Sequence, residues 1–483
     1  MSGRLAVQVA PKPQCLSLDV ESAERLTGGT WIGAQGTVTF CGAVIDSRAV
    51  TRDCLFACIV GAHHDGHDFA ETAIGDGAVI ILANRMLSLP IPVLLVDDVT
   101  AALGALATEF RRRYAASCTW IGVGGANGKT TTKSLITAAC QADAPDRVHA
   151  TRGNMNNYLG VPLTILSTPP GMRYAVIELG ANHPGEVADL AAIAQPQIGV
   201  VVSIGPEHLE GFGDLIGVTT AECELFPALP EKAPAFIGMT GLAEHAQSHG
   251  TSSTILHDII TTAARGRTLI EVGGDSTLTT KINVRGEVKA DGIILHTDAG
   301  NAPISLLGQH NLANATLAFH AAVAAGVAPS AALAGLRKAV PVNGRLVPRR
   351  VGAHLLLDDT YNANPASMAS GLAVLASYPG NRLAVLGAMG ELGTATHQAH
   401  RDLGVLAARL GVALITVGAN ARLIGEGYVA AQGPSYRHAD ERAAASILVT
   451  EQLSVAPQTV LFKASRSAGL ETLVRVLLEG GAA

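Results

Sequence analysis

The chain has 483 residues, enough for about three domains at the usual ~150 residues each, and 48% of them are hydrophobic, so a large core can be buried. Charged residues make up 15%, aromatics 4%, and the formal net charge is −6; this balance excludes general disorder, argues against a nucleic-acid partner and leaves few platforms for stacking single strands. No apolar run reaches the ~18 residues of a membrane span, and residues 1–14 carry neither a long apolar stretch nor a small-residue cleavage pattern, so a cytoplasmic protein with no membrane partner is expected.

In chain order, residues 38–45, 55–60, 78–82 and 93–96 read as strands of a small α/β domain. A helix over 101–113 closes it, and its basic end, Arg111-Arg112-Arg113, suits a helix C-terminus. A second unit opens with the apolar run 119–123, then glycines, then a helical pattern over 129–140. Strand, glycine loop and helix in that order open a parallel α/β sheet. Buried strands follow at 174–179 and 199–204. Two polar, glycine-punctuated stretches, 268–272 and 281–297, read as antiparallel strands at an edge. Helices over 311–325 and 330–339 complete the unit. In the third, strands at 355–358, 383–386, 413–417 and 459–462 alternate with helices over 365–377, 397–410 and 441–452. That alternation predicts a doubly wound, Rossmann-like domain. The expected division is therefore 1–114, 115–339 and 340–483. The seven scattered cysteines are expected to be reduced thiols, with Cys54 and Cys58 as small buried residues. His63, His64, His397 and His400 read as surface or hydrogen-bonded histidines, not a metal cluster.

The run Gly124-Gly125-Ala126-Asn127-Gly128-Lys129-Thr130-Thr131 has the chemistry of a phosphate loop. Glycines let backbone N–H groups turn toward phosphate oxygens, and the following helix directs its positive end at the same anion. Lys129 can reach the outer phosphates, and Thr130 can put a hydroxyl on Mg²⁺. The strict pattern wants Gly at position 123, where this chain has Val123. Downstream, Glu178 ends one strand and His208 follows another, the places where α/β sheets build their sites. Both are candidate Mg²⁺ ligands, imidazole being the less usual. The amide-rich stretch Asn154, Asn156 and Asn157 is either a simple turn or a polar surface that holds a substrate near the γ-phosphate.

Together these segments resemble the Mur ligases over nearly the whole chain. The resemblance rests on an ordered set: Asp46-Ser47-Arg48; Asp65-Gly66-His67-Asp68-Phe69; the GKTT loop; Gly153-Asn154-Met155-Asn156-Asn157; residues 178–186; His208-Leu209-Glu210-Gly211-Phe212-Gly213; Gly308-Gln309-His310-Asn311; Gly344-Arg345-Leu346; residues 358–364; Glu391-Leu392-Gly393; and Lys463-Ala464-Ser465-Arg466-Ser467. It implies a three-domain α/β architecture: a small substrate-binding N-terminal domain, a phosphate-loop ATPase and a Rossmann-like C-terminal domain. It implies an ATP- and Mg²⁺-dependent ligase that forms an amide through an acyl phosphate, joining D-alanyl-D-alanine to UDP-N-acetylmuramoyl-tripeptide for peptidoglycan. By the same resemblance Ser47 and Arg48 would lie near the UDP end. Asn311 would contact adenine, and Arg345 and Asp359 would line the nucleotide cleft. Asn362 and Asn364 would line the substrate side. The partners would be small molecules, and the chain a monomer.

Four positions depart from the family pattern. Where the family has a lysine that carries a carbamate, this chain has Glu222, in Ala221-Glu222-Cys223-Glu224. Glu222 either replaces the carbamate as a metal ligand, directly or through water, or only caps or solvates a helix. Ala388 stands where an aspartate is usual, and Asn343 and Ala464 replace a proline and a glycine. A diverged relative acting on another carboxylate and amine therefore stays open, as does a non-catalytic nucleotide-binding regulator.

Overall fold

The computed structural model describes residues 12–114, 117–273 and 284–480. The N-terminal segment through residue 11 and the start of the stretch expected at 281–297, residues 281–283, lie outside the described residues. Two compact units are present. The first comprises Met1–Gly122, Ala144–Gly180 and Val187–Ile198; the second comprises Val123–Asp143, Ala181–Glu186 and Gly199–Ala483.

In the first unit, β1 (Cys15–Asp19), β2 (Thr30–Ile32), β3 (Thr37–Cys41), β4 (Ala43–Val44), β5 (Cys54–Ala57), β6 (Ala78–Ala83) and β7 (Val93–Leu95) precede the helix Val99–Tyr114. The last five strands other than β3 form a sheet in the order β2-β7-β6-β5-β4. The strand expected at 38–45 is broken at Gly42, so β3 pairs with β1 while β4 joins β5. Cys15 lies directly opposite Cys41 in that antiparallel pair, and a disulfide joins them. This corrects the expectation of seven thiols: cross-strand register, invisible in the linear spacing, brings the two together. The other five cysteines are buried and outside any disulfide. The unit also holds the start of β8 (Thr119–Gly124), with β10 (Tyr174–Glu178) next to it and β9 (Val148–Ala150) parallel to β10 at the edge. Arg111, at the basic helix end, is buried: its guanidinium donates to the carbonyls of Ala194 and Gln195 and lies 4.7 Å from the Trp120 ring centroid.

In the second unit, the end of β8 is followed outward by β11 (Ile198–Val201), β12 (Pro234–Gly238) and β13 (Thr268–Val272). β13 is parallel to β12, which corrects the antiparallel edge expected for 268–272. The helix Ser253–Ala263 carries the chain back before β13, and a crossover of that kind makes the returning strand parallel. The antiparallel feature is a separate three-stranded sheet of β14 (Val284–Lys289), β15 (Gly292–Thr297) and β16 (Gly300–Ile304). The rest of the unit is one six-stranded sheet of β17 (Val347–Val351), β18 (His354–Asp359), β19 (Asn381–Gly387), β20 (Ala413–Val417), β21 (Tyr436–Ala439) and β22 (Gln458–Lys463), in the order β17-β18-β22-β19-β20-β21. Only β17 is antiparallel to its neighbour. Alternation along the strands gives the sheet two buried faces. Leu357, Leu461, Ala384, Leu386 and Leu414 pack on one side; Leu356, Val460, Phe462, Val385 and Ile415 pack on the other. That is the doubly wound arrangement read from the sequence.

Candidate active site

β8 is almost wholly buried and ends at Gly124, where the chain turns into the helix Lys129–Asp143. Gly125 (φ 113°) and Gly128 (φ 86°) hold the turn in a region that disfavours side chains. A Cβ at Gly125 would lie 2.5 Å from the Val202 nitrogen, and one at Gly128 2.7 Å from Asn314 Oδ1. The loop is fastened from inside. Gly125 N–H donates to Glu222 Oε2 (2.5 Å), Ala126 N–H to the Ser203 carbonyl (2.8 Å) and Asn127 N–H to Ser203 Oγ (3.0 Å). These three amides are therefore committed to the protein. They set the shape of the cradle to which the sequence reading assigns the nucleotide through Gly125 and Asn127. Lys129 Nζ donates to the Gly125 carbonyl (2.5 Å) and lies 3.5 Å from Glu207 Oε1. Thr131 is buried at the start of the helix.

Glu207 and Glu222 are both buried, Glu222 at 0% exposure, and they lie beside one another under the loop. Burial first, and the Glu222 carboxylate after it, push the Glu207 carboxyl well above the usual carboxylate range, with Lys129 opposing. Glu222 Oε1 is buried with no hydrogen-bond partner. Position 222 is on the helix Leu215–Cys223, so this glutamate faces the loop and does not cap or solvate a helix end. His208 has a left-handed backbone (φ 45°), and its Nδ1 lies 2.6 Å from Glu391 Oε2. Burial lowers the imidazole pKa below its ordinary value, more than Glu391 raises it.

Side chains from residues 340 onward reach the same loop. Arg345 donates to Thr130 Oγ1 (3.3 Å), and Asn364 Nδ2 donates to Asn127 Oδ1 (2.8 Å). Asp359 accepts from Leu346 N–H (3.1 Å) and pairs with the buried Lys463 (2.8 Å), whose Nζ also donates to the Asn362 carbonyl (2.9 Å). The Tyr361 ring carries two guanidiniums, Arg345 at 4.3 Å and Arg466 at 5.7 Å from its centroid. Asn311 is buried, donating to the Leu307 carbonyl and accepting from Asn314. A cavity of about 250 Å³ runs along the helix from Thr131 to Ala138 and is bounded by Leu306 and residues 338–342.

In the first unit, Glu178 is buried at the end of β10, and its Oε1 accepts from Asn156 Nδ2 (3.0 Å). Gly180 leaves room for that amide. Asn157 Oδ1 accepts from the N–H of Gly160 (2.9 Å), so this oxygen fixes a helix start, while Asn154 is exposed. Ser47 and Arg48 sit on a short 3-10 turn capped by Asp46. Arg48 forks onto Asp46 (2.9 and 2.6 Å) and holds that carboxyl down at about 2. Among the described residues, no three His, Cys, Asp or Glu side chains converge as a ready-made cation site. Glu207, Tyr361 and Arg466 were missed as site residues in the sequence. Each had a signal: Glu207 is an acid next to His208 in a strand-end loop, and Tyr361 and Arg466 lie in two of the segments that carry the family resemblance.

A glycine loop at the end of a buried parallel strand, with a lysine and a threonine opening the next helix, defines a nucleotide-binding enzyme. Comparison with known proteins narrows the class. The Mur ligase middle-domain model matches residues 123–322, the "Mur ligase, glutamate ligase domain" model residues 344–466, and the "Mur ligase family, catalytic domain" model residues 38–111. The chain is 34% identical to the UDP-N-acetylmuramoyl-tripeptide–D-alanyl-D-alanine ligase of Escherichia coli K12, over 96% of this chain and 99% of that protein. A crystal structure of MurF from Acinetobacter baumannii superposes with a TM-score of 0.83 at 30% identity, covering 98% and 100% of the two chains. The Thermotoga maritima MurF ligase in complex with ADP gives 0.76 at 26%, covering 91% and 97%. The chain belongs to the Mur ligase family and is an ATP-dependent amide ligase.

Proposed function

We propose that the protein joins D-alanyl-D-alanine to UDP-N-acetylmuramoyl-tripeptide through an acyl phosphate. One observation carries this reading: Arg345 on Thr130 and Asn364 on Asn127 tie the phosphate loop directly to the Rossmann-like C-terminal domain, which by the family resemblance would bind the incoming amine. The division at residues 114 and 339 then separates UDP-sugar binding, ATP binding and amine delivery. The likeness to relatives that carry out this reaction supports it. A nucleotide sugar and ATP are cytoplasmic compounds, so the reading assigns the protein to the cytoplasm, as a monomer.

The donors suit magnesium. Within the second unit Thr130 offers a hydroxyl and Glu222 a buried oxygen without a partner; taken by itself, the first unit offers the Glu178 carboxylate, oriented by Asn156. Hard oxygen donors in small number, completed by nucleotide phosphates, are the usual magnesium environment. His208 would join them through the ring nitrogen not engaged by Glu391. Bound magnesium would neutralise phosphate charge. Lys129 would turn from the Gly125 carbonyl onto the outer phosphates. Arg345, through Thr130, would lie against the transferred group. Adenine would occupy the cavity along the helix, beside Leu306 and near Asn311. The carboxylate attacks the γ-phosphorus of ATP and ADP leaves; the amine then attacks the acyl carbon and gives up a proton to solvent, and the tetrahedral intermediate collapses as the C–O bond to phosphate breaks and inorganic phosphate departs. Lys129, and His208 through the metal it would help to hold, would offset the charge of that intermediate. A site closed to water protects the acyl phosphate from hydrolysis.

Phosphate release with ATP, Mg²⁺, UDP-N-acetylmuramoyl-tripeptide and D-alanyl-D-alanine tests this. Release that requires both substrates is the expected result. Release with other acceptors only would make the protein a diverged relative, and nucleotide binding with no release on any acceptor would make it a non-catalytic one.

A further inference from the structure

We propose that Cys15 and Cys41 are a site of reversible oxidation by small disulfides, and that the closed bridge tightens the first unit's hold on the nucleotide sugar; the second half rests on the ligase reading above. Cys15 opens β1 and Cys41 ends β3, so the bridge closes one end of their two-stranded ladder. The backbone groups that could clasp this end are engaged elsewhere. The Cys41 N–H donates to the Asp53 carbonyl (2.7 Å), and the Cys15 carbonyl accepts from Tyr114 Oη (2.8 Å). In the middle of the ladder the Ser17 and Thr39 hydroxyls meet at 2.8 Å. Reduction therefore frees the end and leaves the strands paired. What that end governs lies just beyond Cys41. The chain turns at Gly42 (φ 81°), where a Cβ would lie 2.9 Å from Pro13 Cγ, in the segment leading into Cys15. It then runs through β4 into the turn of Ser47 and Arg48, to which the ligase reading assigns the UDP end. The bridge fixes the start of that segment.

Cys15 is only partly buried, whereas Cys41 is 3% exposed, so exchange enters at Cys15. The remaining thiols do not compete. Burial pushes those of Cys54, Cys58, Cys118 and Cys223 up, Cys58 and Cys118 to about 12, and a thiol held protonated is a poor nucleophile. Cys140 is fully buried. Closure is ordinary thiol–disulfide exchange. The Cys15 thiolate attacks one sulfur of a small disulfide such as oxidised glutathione and expels the other half as a thiolate. The Cys41 thiolate then attacks the Cys15 sulfur and expels the second half. The two cysteines lose two electrons and two protons, the small disulfide becomes two thiols, and excess thiol reverses both steps. Where thiols are kept reduced, as in the cytoplasm of the ligase reading, the pair rests open; a rise in small disulfides closes it.

The test treats the full chain with oxidised glutathione or with dithiothreitol, removes the reagent, and counts thiols by the mass added on alkylating the denatured protein. Five are expected after oxidation and seven after reduction. KM for UDP-N-acetylmuramoyl-tripeptide should be about fivefold higher in the reduced protein, the lower end of coupling between two sites, with KM for ATP and for D-alanyl-D-alanine unchanged. Cys15→Ser should show the higher KM under both treatments. Seven thiols after oxidation, or a nucleotide-sugar KM that is the same in both states, overturns the proposal; so does a rise in all three KM values together. The thiol count needs no turnover. Protein that forms the bridge but releases no phosphate in either state therefore overturns the ligase reading, and with it the link to the nucleotide sugar, while the oxidation site stands.

Discussion

Glu222 has one oxygen on the Gly125 amide and the other buried without a partner, next to a Glu207 carboxyl whose pKa is driven upward by burial. A glutamine there keeps the shape and can still accept from Gly125, but it removes a charge and one carboxylate oxygen. Glu222→Gln is therefore expected to bind ADP normally by calorimetry while turnover falls by roughly 10- to 100-fold, the usual loss when a metal's supporting group is changed. Since a glutamate needs no carbamate, wild-type turnover should be the same with and without added bicarbonate. Full activity in the glutamine variant would remove Glu222 from the site. The loop and Glu222 could both be seen in the sequence, because local order carries them. The facing of Glu222 on Gly125, 97 positions away, could not.

At the scale of elements, the helix Pro365–Ser377 shows how local chemistry acts at a distance. Asn364 caps it, accepting from Ser367 N–H while Ser367 Oγ accepts from Asn364 N–H, and a proline opens the first turn. Those signals are local, and the sequence reading places the helix over the same residues. The same Asn364 amide also donates to Asn127 in the phosphate loop, a tie with no sequence signature. Asn364→Ala should destabilise the protein by about 1 kcal/mol, the typical worth of a cap, and raise KM for ATP. Asn364→Ser restores the cap with a shorter side chain, so unfolding should recover while KM for ATP stays high. If serine restores both, the contact with Asn127 has no role in nucleotide binding. Elements without such local signals were missed: β1, β2 and the helix Val20–Thr27 between them are too short to show a period, and the direction of β13 is set by its pairing with β12.

For the molecule as a whole, the acid limit of stability follows from buried histidines. His320 is buried beside Phe236 with Nε2 unpartnered, and burial brings its pKa down to about 4. His149, accepted into the first unit's core against the Thr164 carbonyl, falls to about 4 as well. Between pH 4 and 6.5 the unfolded chain binds these protons and the folded one does not. Stability is thus highest above pH 6.5 and declines as pH falls toward 4. A shift from 6.5 to about 4 corresponds to roughly 3 kcal/mol for His320. His320→Leu should narrow the gap in urea-unfolding free energy between pH 7 and pH 4.5 by about 2–3 kcal/mol; an unchanged gap would show that His320 is not its source.

The last strand in the chain, β22, is inserted between β18 and β19 and has neighbours on both sides. A nascent chain halted on the ribosome before residue 458 would thus carry two half-sheets with open edges, the surfaces that invite mispairing and chaperone capture. Lys463 and Arg466 emerge only with or just after that strand. Synthesis that stops before residue 458 leaves an aggregation-prone remnant in which the sheet that carries Lys463 is unfinished.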